Sequence, residues 1–142
     1  MLQILLVEDN PGDVRLTREA FESAGVETSI RAATDGDEAL EFLADCHDDD
    51  STTAPDLVFL DLNLPRVDGF EVLERIRDDP TFSRLPVLVL TSSSADEDIA
   101  RSYELCANAH LTKPSSLDEF VEMAKTVEEF WFDRAHLPPI PA

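Results

Sequence analysis

The stretch Leu57-Val58-Phe59-Leu60-Asp61 constrains this chain more than any other. Four apolar residues lead straight into one carboxylate, between Pro55 and Pro65. A run that short and so bounded fits a strand buried on both faces rather than a helix. Such strands belong to parallel α/β sheets, which bind and react at the carboxyl ends of their strands. Two further runs repeat the arrangement. Ile4-Leu5-Leu6-Val7 ends in Glu8-Asp9, and Val87-Leu88-Val89-Leu90 ends in Thr91-Ser92. Three buried strands thus deliver three carboxylates and a hydroxyl to one rim.

Between the strands, helix starts recur. Asp35 with Glu38, Asp68 with Glu71, Ser94 with Glu97 and Ser116 with Glu119 each pair a polar N-cap with a Glu three residues on. Asn10 followed by Pro11 starts the first helix differently, with Pro at the first helical position. Apolar residues then follow at helical spacing, as in Val72, Leu73 and Ile76. Strands over 28–33 and 109–112 complete five βα units. Right-handed crossovers make of these a doubly wound, five-stranded parallel sheet with helices on both faces.

At 142 residues the chain has room for one domain, expected over 1–134, with a Pro-rich tail over 135–142. Neither a basic leader nor an apolar stretch near 18 residues is visible, so no signal peptide or membrane span is expected. Two cysteines without CxxC spacing point to the reducing cytoplasm. The 31 acids against 11 bases give a net charge of −20. No nucleic acid is expected as a partner, because phosphate contacts need a basic face and none is visible in the sequence. Self-repulsion on this scale suits a salt-rich cytoplasm, where screening relieves it. The polar segment 46–54 reads as a solvated loop, and a metal site at His47 with Asp48, Asp49 and Asp50 as improbable, since consecutive residues do not all converge on one ion.

Glu8, Asp9 and Asp61 crowded together call for a cation, and oxygen-only ligands suit Mg²⁺. Lys113, held extended by Pro114, pairs with Asp61 in the resting site and with a phosphoryl oxygen in the filled one. Thr91 offers a hydroxyl to the same oxygens. A carboxylate nucleophile, a divalent ion, an ammonium and a hydroxyl are the parts for phosphoryl transfer onto Asp61.

Glu8-Asp9, Asp61 with Pro65 and Gly69, Thr91, and Lys113-Pro114, in that order, resemble the receiver domains of two-component response regulators over residues 3–131. The resemblance implies a CheY-like (flavodoxin-like) fold and a signalling protein of the single-domain kind, not an enzyme. Asp61 would accept a phosphoryl group from a sensor histidine kinase or a histidine phosphotransferase. Asp9, Asp61 and the Asn63 carbonyl would hold Mg²⁺, with Glu8 acting through water. Thr91 and Lys113 would hold the phosphoryl oxygens. Movement of Thr91 would shift the face around the fourth helix and fifth strand toward a downstream protein target. One position departs from the family: three residues before the lysine, where Tyr or Phe is usual, stands His110. It is the candidate switch residue beside Thr91, and a histidine there would add pH sensitivity.

Two rival readings remain open at this point. A haloacid-dehalogenase-type phosphohydrolase also uses a strand-end Asp, but its second acid two positions on is here Asn63, which cannot protonate a leaving group. A receiver-shaped interaction module independent of phosphate is the other. The last helix carries Phe120, Met123, Ala124, Val127, Phe130 and Trp131 at helical spacing, most of it expected to be core, and Phe130-Trp131-Phe132 is more aromatic than one buried face absorbs. Exposed aromatics there are expected to mark a homodimer or kinase-docking surface.

Overall fold

The computed structural model describes residues 2–48 and 53–139. Strands β1 (Leu2–Val7), β2 (Thr28–Ala33), β3 (Leu57–Leu60), β4 (Val87–Thr91) and β5 (Ala109–Thr112) form one parallel sheet in the order β2-β1-β3-β4-β5. Helices α1 (Pro11–Ser23), α2 (Gly36–Asp48), α3 (Gly69–Asp78), α4 (Asp96–Glu104) and α5 (Leu117–Val127) alternate with them. The doubly wound expectation holds. The order of strands reverses between β1 and β3, which opens a crevice beyond their carboxyl ends.

The apolar runs explain which strands are central. Every residue of β3 and β4 is buried, whereas β2 alternates and β5 stays only half-covered at the edge. Side chains of opposite parity feed two cores. Leu5, Val7, Val58 and Leu60 face α2 and α3, meeting Leu43, Val72, Leu73 and Ile76. Ile4, Leu6, Leu57 and Phe59 face α1 and α5, meeting Phe21, Phe120, Ala124 and Val127. Helix α4 is held least: Ser102 is its one buried residue.

Capping follows the sequence at four helices. Asn10 Oδ1 accepts from the Gly12 and Asp13 amides, Asp35 Oδ1 from Glu38 N, Asp68 Oδ1 from Glu71 N and Ser116 Oγ from Glu119 N. The fourth helix is the exception. It starts at Asp96 with Ala95 as cap and no side-chain cap bond, so Ser94 does not cap it. Ser93 Oγ instead donates to Asp98 Oδ2 at 2.6 Å and competes for the same turn.

Two other expectations change. The segment 46–54 is not all loop, because α2 continues through Cys46 and His47 to Asp48. His47 Nδ1 lies 3.0 Å from Thr81 Oγ1, while Asp49 and Asp50 lie outside the described residues, as do Ile140 and Pro141 of the tail. Past Val127 the last helix widens into a π-helical turn, Glu128–Arg134. It leaves Phe130 and Phe132 about half exposed, with Trp131 partly buried against the core, as the aromatic excess predicts.

Arg77 was not singled out by the sequence, yet it fastens the sheet's far end. Its guanidinium donates to the carbonyls of Cys106, Ser83 and Leu85 and to Asn108 Oδ1, at 2.7 to 3.2 Å. Four acceptors offset the cost of half-burying a charge that has no carboxylate partner among the described residues.

Candidate functional site

Three strands each pass the ladder on to a residue beyond their last one. Glu8 N–H donates to Ala33 O at 2.9 Å, Asp61 N–H to Val7 O at 3.0 Å, and Lys113 N–H to Thr91 O at 2.8 Å. The backbones of these residues are therefore fixed by the sheet, and only their side chains reach into the crevice. Gly69 lets α3 begin close under this rim. A Cβ there would meet the Asp61 carbonyl oxygen at 2.3 Å and Leu62 Cα at 2.6 Å, so any side chain would push the acceptor strand aside.

Lys113 is the centre of the cluster. Its Nζ lies 2.9 Å from Asp61 Oδ2, 2.9 Å from Glu8 Oε2 and 2.9 Å from Asp13 Oδ2. Glu8 and Asp61 are buried, as is Thr91, and Asp9 stays exposed at the mouth. Carboxylate oxygens of Glu8, Asp9 and Asp61 lie within 4.8 Å of one another. An all-oxygen set so spaced, partly open to solvent, fits a hard divalent cation. Asn63, expected to lend its carbonyl, is exposed beside them, and its N–H donates to Asp61 Oδ1 at 3.1 Å. The Thr91 hydroxyl accepts from Ser93 N at 3.4 Å.

Burial and neighbours pull the two buried acids apart. Desolvation, with a hydrogen bond to Asp61, pushes the Glu8 carboxyl up to about 8. Burial alone would raise Asp61 too, but hydrogen bonds from Glu8, Lys113 and the Asn63 amide outweigh it and hold Asp61 below the usual range. Burial would likewise lower Lys113, yet bonds to Asp13, Glu8 and Asp61 carry it above the ordinary lysine value. The site therefore keeps an ionised carboxylate beside a charged ammonium, the state a nucleophilic Asp61 requires.

His110 sits on β5, facing α4. Its Nδ1 is 3.0 Å from Ser102 Oγ and its Nε2 is 3.1 Å from the Ser93 carbonyl. A carbonyl only accepts, so Nε2 carries the hydrogen. The His110 main-chain N–H donates to the Tyr103 hydroxyl at 3.2 Å. Sequence reasoning missed Ser93 and Ser102 as partners of this ring, and it missed Asp13. An acid in the first turn of a helix is expected for the helix dipole alone, so nothing marked Asp13 as a neighbour of a lysine 100 residues away.

Residues 4–125 match the response regulator receiver domain family. The response regulator Rcp1 of Synechocystis sp. is 39% identical over 135 residues, covering 95% of this chain and 92% of Rcp1. The structure of a phosphorylated cyanobacterial phytochrome response regulator, RcpA, superposes with a TM-score of 0.88 at 42% identity, covering 97% of this chain and 99% of RcpA. The Mn²⁺-bound form of Rcp1 gives a TM-score of 0.85 at 38% identity, with 98% and 100% covered.

Proposed function

The chain belongs to the response regulator receiver family, and on that footing we propose specific parts for its residues. Asp61 is the phosphoryl acceptor. One of its carboxylate oxygens forms the new O–P bond as the P–N bond of a phosphohistidine breaks, and the electron pair of that bond returns to the imidazole nitrogen. Asp61 is ionised beforehand and has no proton to lose. Lys113 and Thr91 take the phosphoryl oxygens. The observation that carries this reading is the Lys113 ammonium at 2.9 Å from Asp61, brought there from 52 residues away.

A divalent ion would be held by Glu8, Asp9, Asp61 and the Asn63 carbonyl, and Mg²⁺ is the ion proposed. Its chemistry there is to neutralise charge on the transferring phosphoryl oxygens. The protein is a signalling protein and not a turnover enzyme. Asn63 in place of a second acid supports that against a phosphohydrolase, and the intact acceptor, lysine and acidic cluster weigh against a phosphate-independent module.

His110 is proposed as the switch residue. Thr91 drawn toward a phosphoryl group takes the following loop with it, and Ser93 on that loop is the carbonyl that the ring holds. The phosphoryl donor is proposed as a sensor histidine kinase or histidine phosphotransferase in the cytoplasm. A phytochrome-type kinase is the first to try, because RcpA is a phytochrome response regulator. The signal passes to a downstream protein target, and the half-exposed Phe130 and Phe132 are proposed as a homodimer surface. No helix among the described residues is long and apolar enough to cross a membrane. Residues 1–134 are proposed as the receiver unit and 135–142 as a short tail.

Intact mass after incubation with acetyl phosphate and Mg²⁺ tests the acceptor. One phosphoryl adduct is expected, lost without Mg²⁺ and lost in Asp61→Asn. An adduct that survives Asp61→Asn would overturn the assignment.

A further inference from the structure

Lys113 has a third partner that the mechanism above leaves without a part. Asp13, in the first turn of α1, accepts from Lys113 Nζ at 2.9 Å. An ammonium carries three N–H donors. Here Glu8 takes one at 3.0 Å, Asp61 one at 2.9 Å and Asp13 the third. A phosphoryl oxygen arriving on Asp61 needs a donor, so one of the three acceptors has to give way.

The three acceptors differ in what their release costs. Their side-chain exposures are 3% for Glu8, 7% for Asp61 and 33% for Asp13. An acceptor released inside a dry site, ionised or not, loses its bond to the ammonium with nothing to replace it, whereas one at the surface is taken up by water. Asp61 also stays next to the phosphoryl group by covalent necessity. That leaves Asp13 as the partner most readily released.

The backbone around Asp13 points the same way. Its N–H donates to Asn10 Oδ1 at 3.2 Å, and its carbonyl accepts from Thr17 Oγ1 at 2.8 Å. The helix start is pinned, so release is a side-chain rotation and leaves α1 in place. The Asp13–Lys113 bond is also a tie between the start of α1 and the loop after β5, and that tie opens when the site fills.

We propose that Asp13 is a positioning residue that holds the Lys113 ammonium at the site in the unphosphorylated protein and is exchanged for a phosphoryl oxygen in the phosphorylated one. The proposal rests on the reading of Asp61 as acceptor. It makes Asp13 a competitor: its carboxylate occupies the donor that the phosphoryl group needs and repels the incoming negative charge. Removing it favours the filled state.

Beryllium fluoride, a phosphoryl mimic, provides the test on the full chain with Mg²⁺ at saturation, by calorimetry. Asp13→Ala is expected to bind the mimic about fivefold more tightly than wild type, the scale of one partly exposed ion pair. Asp13→Asn, which keeps an acceptor but no charge, is expected to fall between the two. A residue that only supported the fold would leave affinity unchanged or weaken it when removed. Unchanged or weaker binding in Asp13→Ala, at an unchanged melting midpoint, would therefore overturn the proposal. Asp61→Asn runs in parallel: mimic binding that survives that change sinks the acceptor reading itself, whereas binding lost there and unaltered in both Asp13 variants sinks only the part given to Asp13.

Discussion

A proton arriving at this site in the absence of a divalent ion goes to Glu8 before Asp61, because Glu8 has the deeper burial and its backbone donor, the Asn10 amide at 3.3 Å, is more distant than the Asn63 amide at 3.1 Å from Asp61. A cation that uses Glu8 has to displace that proton. Affinity for Mg²⁺ is therefore expected to rise with pH up to about 8, where Glu8 titrates, and to level off above it. The slope approaches about tenfold per pH unit well below the midpoint. Glu8→Gln removes the slope, and calorimetric titration at several pH values measures both; a wild-type profile flat through pH 6 to about 8 would count against it. The sign for stability is opposite. A folded-state value raised from 4.5 to about 8 means that the protonated group stabilises the metal-free fold fully below about 4.5, and that this contribution is lost as pH rises through about 8. Asp61, held low, contributes above its unfolded value and loses that contribution as pH falls through the lowered one.

At the scale of elements, the central strands are covered on both faces and one helix is covered least. The three central strands are buried almost throughout, while α4 buries Ser102 alone and is tied to β5 by that residue's bond to the His110 ring and by the Tyr103 hydroxyl, which accepts from the His110 amide. The ring spans two elements, with Ser102 on α4 and Ser93 on the loop after β4. On the proposed switch, a loop that follows Thr91 toward a phosphoryl group would break the bond between the Ser93 carbonyl and the ring, and the Ser93–Asp98 bond would pass the movement to α4. The His110 ring Cε1–H resonance is therefore expected to move when beryllium fluoride and Mg²⁺ are added, and to stay still in Asp61→Asn. A resonance that ignores the mimic in wild type would remove His110 from the switch and leave it as a tether for α4.

Across the whole molecule the net charge of −20 dominates. Few of those charges are paired: three of the six ion pairs among the described residues converge on Lys113, and the rest are weak, exposed contacts at 3.8 to 3.9 Å. Repulsion among the others opposes both folding and self-association. Screening shortens from roughly 10 Å at 0.1 M salt to roughly 3 Å at 1 M. The melting midpoint is expected to rise by roughly 5 °C or more between 0.1 M and 2 M KCl. Sedimentation velocity over the same range is expected to show a dimer appearing with salt, and Phe130→Ser to suppress it. A salt-independent midpoint would show that repulsion among the acids does not limit stability, and a monomer at every concentration would count against the aromatic surface.

Much of this was legible along the chain. Apolar runs of four ending in acid or hydroxyl residues at Glu8, Asp61 and Thr91 mark both the strands and their reactive ends, because a strand buried on both faces has no room for polar residues until it emerges. Caps at Asn10, Asp35, Asp68 and Ser116 are local bonds between neighbours in sequence, and local chemistry is what a sequence displays. What escaped depends on residues far apart. Asp13 is an ordinary first-turn acid until the sheet brings Lys113 to it, and Arg77 is an ordinary helix-end cation until four acceptors from other segments close round it. Ser94 fits a capping pattern, but Ser93 took the nearby acid and the helix began later. Strands, the chemistry at their ends and the family can be read straight along the chain. Which carboxylate keeps its proton, which partner of the lysine lies nearest to water and what the histidine holds cannot, since burial and distance between separated segments exist only once the chain has folded.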